Sequence, residues 1–202
     1  GAELGLAEAQ FKLASLYASG AGVSQDFAEA AHWARRAAEQ GHVEAQYNLG
    51  TLYVSGRGVE KNLAEAVRWY RRAAEKGKAS AQSNLGVFYA SGQGVAQDLA
   101  EALKWFRQAA EQGHPSAQYN LARSFAAGQG VEPDSIEAYK WFILAAGQGD
   151  QDAAKEQLEL SLQMRAADIA EAIRRANAFS ARLQSQKPPN LEELLPGPGP
   201  GK

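Results

Sequence analysis

Three sets of residues have the types that chemistry uses, and their spacing decides against a reaction. The pairs Gly20/Gly22, Gly56/Gly58, Gly92/Gly94 and Gly128/Gly130 resemble phosphate-cradling turns. A dinucleotide loop needs a strand before its glycines. Here a helical pattern precedes them and the motif occurs four times, so they read as turns that end helices. The three histidines are His32, His42 and His114. None is paired at a metal-binding spacing such as i, i+4. His42 and His114 share one sequence position with Leu6, Lys78 and Asp150, which reads as a solvated helix start. Arg35-Arg36 and Arg71-Arg72 suggest a basic stripe, yet Arg107-Gln108 and Leu144-Ala145 break it. Glu39, Glu75 and Glu111 follow four residues after Arg35, Arg71 and Arg107, the spacing of exposed ion pairs worth a few tenths of a kcal/mol. No convergent acid, base and nucleophile stands out. The expectation is a protein that is not an enzyme, with no catalytic residue, no metal ligand and no cofactor.

A fourth set offers binding chemistry. Phe11, Tyr47 and Tyr119 occupy one recurring position, with Ser83 as its fourth occupant. Lys12, Asn48, Asn84 and Asn120 occupy the next, and Ser15, Thr51, Val87 and Arg123 another. At about 100° per residue these positions lie on the helix side opposite the apolar stripe. Exposed aromatics are typical interface anchors, and an asparagine row can bond the backbone of an extended peptide. Both sets have a packing alternative: the aromatics can fill the space between repeats, and each amide can be satisfied locally. The expected partner-binding residues are Phe11, Lys12, Tyr47, Asn48, Thr51, Asn84, Tyr119, Asn120 and Arg123. Removing Tyr47 and Tyr119 together is expected to abolish partner capture without lowering the melting temperature.

The elements that position them come from an internal repeat of 36 residues without gaps. Trp33, Trp69, Trp105 and Trp141 are the four tryptophans, and Tyr17, Tyr53, Tyr89 and Phe125 keep the same step. Repeats of this length cannot bury their apolar face alone and stack on one another. One unit holds two helical patterns. Ala45, Leu49, Leu52 and Tyr53 mark the first, ended by Gly56-Arg57-Gly58-Val59. Asn62, matched by Asp26, Asp98 and Asp134, resembles an N-cap. Ala66, Trp69, Ala73 and Ala74 then form the buried stripe of the second, while Glu65, Arg68, Arg72 and Glu75 face solvent. The expectation is an all-α solenoid with four repeats at about 5–40, 41–76, 77–112 and 113–148 within residues 1–149. Residues 150–184 read as a C-terminal helical cap whose second helix starts near Asp168, with Glu171 completing a capping box. The segment 185–202 is rich in proline and glycine and reads as a disordered tail in which Leu191, Leu194 and Leu195 dock one short turn.

Composition narrows the partner. Net charge is −2 with a pI near 6.0, which argues against nucleic acid and anionic membranes. There is no cysteine, so disulfides and thiolate chemistry are excluded. No apolar run of membrane-spanning length is present, and there is no signal peptide and no initiator methionine. Residues 2–10 align in register with 38–46, so the chain reads as part of a longer protein whose first repeat lacks a cap. That open edge is an expected self-association surface.

The pattern Ala-Gln-x-Asn-Leu-Gly-x-x-Tyr, then Gly-x-Gly-Val, then Ala-x-x-Trp-x-x-x-Ala-Ala-x-x-Gly resembles the Sel1-like repeat family, relatives of the tetratricopeptide repeats. Lys12 and Ala122 depart from the pattern, and Pro133 sits just before the fourth cap. The resemblance implies a right-handed superhelix of antiparallel helix pairs with the first helices lining the concave side. It also implies a non-catalytic scaffold that binds a peptide or partner protein there. A self-assembling or regulatory adaptor is the alternative. The segment Glu137 to Ala146 is similar to closing repeats of bacterial envelope and polar-organelle scaffolds. That similarity favours the periplasm or cell envelope over the cytoplasm.

Overall fold

A computed structural model describes residues 2–186. The proline- and glycine-rich segment from residue 187 onward, including Leu191, Leu194 and Leu195, lies outside the described residues. Ten helices follow in chain order: α1 (Ala2–Ser19), α2 (Phe27–Glu39), α3 (Val43–Ser55), α4 (Leu63–Glu75), α5 (Ala79–Ser91), α6 (Leu99–Glu111), α7 (Pro115–Ala127), α8 (Ser135–Ala146), α9 (Gln151–Ser161) and α10 (Ala166–Gln186). No strand occurs among them. Odd helices up to α7 pair with the even helix that follows, and each even helix up to α8 packs on the next odd one.

Each boundary has a local cause. Asp26, Asn62, Asp98 and Asp134 cap α2, α4, α6 and α8 by accepting backbone N–H groups of the first turn. The histidine position is also a cap. The Nδ1 atoms of His42 and His114 accept from Ala45 N and Ala117 N, and the Asp150 carboxylate accepts from Ala153 N. These residues are half-buried rather than fully solvated. Gly56 ends α3 in the left-handed region at φ 70°, where a Cβ is penalised. Gly58 has a second duty. A Cβ there would collide with the Phe27 carbonyl of the preceding repeat, and one on Gly94 would come 2.6 Å from the Leu63 backbone. The second glycine of the turn is therefore a contact between repeats as well as a turn residue. At Gly22, with no described repeat before it, the same space is open.

Alanine lets the helices approach, and aromatic rings fill what remains. Ala45, Ala66, Ala73, Ala81, Ala109 and Ala117 are inaccessible. A Cβ on Gly50 would meet the Tyr70 ring at 2.8 Å, so that glycine makes room for the ring. The buried core continues from repeat to repeat, and Trp69 and Trp105 each lie in the cluster of a neighbouring boundary.

The C-terminal helices break the pattern. α9 packs on α8 as a first helix should, but α10 turns back along α8. Phe179 meets Trp141 edge-on at 5.1 Å, and Arg175 bonds Glu137 at 2.8 Å. The expected capping box does not form. α10 starts two residues before Asp168, whose carboxylate is taken by Arg165, while Glu171 is taken by Arg174 and Arg175. Leu158 on α9 and Leu162 just after it remain 66% and 81% exposed.

Candidate functional site

The residues expected to bind divide into two groups once placed. The aromatic position packs on other rings, at the start of the next first helix for Phe11 and against the second helix of the same repeat for Tyr47 and Tyr119. Phe11 stacks on the His42 ring at 4.5 Å and 26°, Tyr47 leans on Tyr70 at 5.6 Å, and Tyr119 on Phe142 at 6.1 Å. All three are half-buried, and Ser83 at the same position is 3% exposed. Tyr119 donates to a Glu156 carboxylate oxygen at 2.7 Å. Burial, then that hydrogen bond, pushes its phenol up to about 12. Tyr119 thus supports the fold, and alanine there would lower stability as well as remove an anchor.

The polar positions stay accessible. Lys12, Asn48, Thr51 and Arg123 are exposed, while Asn84 and Asn120 are half-buried. Lys12 pairs with Glu8 at 3.4 Å. Hydrogen bonds from His42, then Lys12, hold the Glu8 carboxyl below its ordinary range. Thr51 Oγ1 lies 3.1 Å from the Tyr70 hydroxyl. Asn120 Nδ2 donates to Ser116 O, one turn back on its own helix, so its amide is in part satisfied locally. Arg123 lies over the Tyr119 ring at 5.7 Å and reaches Glu156 only at 3.6 Å.

The structure gathers some of these residues around two openings between first helices. Asn48 lines a depression of about 280 Å³ with Ser15, Ala18 and Ala34, between α1 and α3. Asn120 and Arg123 line a pocket of about 230 Å³ with Val87, Leu99 and Phe106, between α5 and α7. Phe11, Lys12, Tyr47 and Tyr119 line neither. Among the described residues no group of three or more histidine and carboxylate side chains could hold a metal ion. No helix among them is long and apolar enough to cross a membrane.

Two connecting systems went unread in the sequence. The first is a glutamine ladder. Gln46, Gln82 and Gln118 are buried, and each side-chain amide donates to a carbonyl eight residues earlier: Ala38, Ala74 and Ala110. In three repeats the oxygen of the ladder residue accepts from a second glutamine: Gln40 to Gln10, Gln112 to Gln82 and Gln148 to Gln118. The second is an arginine bridge. Arg35 and Arg71 donate to the Tyr53 and Tyr89 hydroxyls of the next repeat. They cross the boundary instead of pairing with Glu39 and Glu75. Each member of these pairs recurs along the chain, but the bonded partners lie 30 residues apart for Gln with Gln and 18 for Arg with Tyr.

The Sel1 repeat family profile matches residues 7–42, 43–78, 79–114 and 115–150. No curated protein matches the chain. Among solved structures, a protective antigen of uropathogenic Escherichia coli displaying an SLR fold is 46% identical, with a TM-score of 0.72. The match covers 75% of this chain and 32% of that one. A Sel1 repeat protein from Oxalobacter formigenes is 41% identical with a TM-score of 0.68, covering 77% of this chain and 62% of that one. The chain therefore spans about a third and just under two thirds of the length of these two relatives.

Proposed function

The chain belongs to the Sel1 repeat family, whose members are generally protein-interaction modules, and we propose that it binds a peptide or partner protein along its first-helix face. One observation carries the reading. Most residues that recur unchanged are spent on caps, turns and repeat packing. The exposed positions of α1, α3, α5 and α7 change from Ser15 to Thr51, Val87 and Arg123. A surface that varies on a fixed frame is suited to recognition. Catalysis has no comparable support. The protein would act as a non-catalytic scaffold within a longer bacterial protein, with Asn48, Thr51, Asn84, Asn120 and Arg123 as polar contacts and Phe11, Tyr47 and Tyr119 offering ring edges beside them.

The test is capture of displayed genomic fragments from the protein's own organism by the immobilised chain. A triple variant, Asn48→Asp, Val87→Asp and Arg123→Glu, changes three exposed side chains. Loss of capture at an unchanged melting temperature supports the reading, and undiminished capture sinks it.

A second reading rests on the N-terminal edge. Leu6 and Leu16 are 54% and 41% exposed there, and the Gly22 slot that takes a preceding helix in later repeats is open. Stacking of a second copy or another repeat on this edge predicts that Leu16→Glu shifts the sedimentation profile toward monomer. A wild-type profile that is already monomeric removes self-association.

A further inference from the structure

Whether a hollow exists between adjacent first helices depends on two side chains per repeat boundary. One comes from the even helix, at Ala34, Tyr70, Phe106 or Phe142. The other comes from the following odd helix, at Leu52, Phe88, Ser124 or Leu160. Where both are large the space is filled: Tyr70 meets Phe88 at 5.9 Å, and Phe142 and Leu160 join one core cluster. Where one is small a hollow opens. Ala34 lines the depression between α1 and α3, and Ser124 beside Phe106 lines the pocket between α5 and α7. Open and filled boundaries therefore alternate along the first four.

From this alternation we infer that the chain reads an extended peptide carrying an acidic residue through two sockets, with one filled boundary between them. The inference rests on the first-helix binding reading. The α5–α7 socket has an apolar floor, with Val87 and Leu99 46% and 36% exposed. Arg123 lines it with a side chain 56% exposed, lying over the Tyr119 ring and making only a long ion pair with Glu156. That combination suits an apolar side chain next to an aspartate or glutamate, whose carboxylate pairs with the guanidinium. The α1–α3 socket is lined by small and polar side chains, Ser15, Ala18, Ala34 and Asn48, and takes a second side chain without a charge requirement. The spacing of helices packed side by side, about 10 Å, sets the scale from one first helix to the next. Two repeats then separate the sockets by about 20 Å, which an extended chain crosses in about six residues at roughly 3.3 Å each. Tyr70 and Phe88 block the intermediate position, so residues there contribute backbone contacts to Asn84 rather than a buried side chain.

The test pans a phage-displayed library of random peptides on the full chain and on variants that borrow residues from other repeats. Ser124→Phe copies Phe88, Ala34→Tyr copies Tyr70, and Arg123→Thr copies Thr51. Circular dichroism confirms that each remains folded. Enriched peptides are expected to carry an apolar residue beside an acidic one, with a second preferred side chain about six positions away. Ser124→Phe should weaken them about tenfold or more, a 1.4 kcal/mol effect. Arg123→Thr should abolish the acidic preference alone, and Ala34→Tyr the second preference alone. Peptides that bind the wild type and all three variants equally overturn the two-socket inference. If they still respond to Asn48→Asp with Val87→Asp, the first-helix reading survives. If they do not, it falls too. A library that yields no binder overturns the inference, and fragment capture then decides the broader reading separately.

Discussion

Single residues carry most of the difference between otherwise equal repeats. Position 40 holds glutamine in three repeats and Lys76 in the other. Lys76 turns its ammonium to the Gly41 carbonyl at 2.7 Å, and Gln46 Oε1 is left buried without a partner. An unsatisfied buried acceptor costs about 1–3 kcal/mol. Lys76→Gln should complete the ladder and raise stability by about 1 kcal/mol, read from the urea midpoint at constant slope. No gain, or a loss, would mean that the Gly41 contact matters more. His114 supplies a second case. Burial holds its pKa below the ordinary 6.5, and its Nδ1 accepts the Ala117 N–H, which requires that nitrogen unprotonated. The unfolded chain then takes up the proton first. The stabilisation is present above about pH 6.5 and is lost as pH falls through the folded value. His114→Asp, the cap that Asp150 already provides at α9, should flatten melting temperature over this acid range. A wild-type melting temperature constant from pH 7 to 5 would contradict the assignment.

At the scale of elements, the turn after each first helix is where local and tertiary demands coincide. Gly22 and Gly58 have nearly the same left-handed φ, 79° and 71°, so alanine costs both about 1–2 kcal/mol from backbone strain. Only at Gly58 does the added Cβ strike the preceding helix. Gly58→Ala should therefore destabilise clearly more than Gly22→Ala in parallel thermal melts, and equal losses would show that the turn alone sets the cost. Helix identity and order were legible because Ala45, Leu49, Trp69 and their equivalents repeat at helical spacing, and Asn62 and Asp98 announce the second helices. The close approach at Gly58 was not legible, because a turn glycine and a contact glycine look alike in one chain. Nor was the return of α10 onto α8. It depends on Phe179 meeting Trp141 in space, while Asp168 and Glu171 carry a capping signature whose carboxylates arginines take instead. Of the expected binding positions, the exposed polar face of α1, α3 and α7 was read from periodicity. The burial of Ser83 and the half-burial of Tyr47, which leans on Tyr70 of α4, depend on other helices, which no single-helix projection contains.

For the whole molecule, stability is a sum of repeats and the boundaries between them. The α1–α2 pair has a described neighbour on one side only, while α3 to α8 are packed on both sides. Hydrogen exchange should show α1 and α2 opening at lower free energy than α5 to α8, with α8 further protected by α10. Uniform protection along the chain would indicate one cooperative unit instead. The gapless period also governs how this chain can change in length. A deletion of one residue inside α3 rotates everything beyond it by about 100° and turns the apolar stripe away from its neighbour. Removal of a whole repeat, such as residues 43–78, joins Ala79 to the end of the first unit and brings Arg35 opposite Tyr89, the same chemical pair that Arg35 makes with Tyr53. Recombination between copies of the gene segment can therefore add or subtract units while every junction is remade from existing parts. Length in such a chain is inherited in whole steps, and the distance between its sockets is inherited with it.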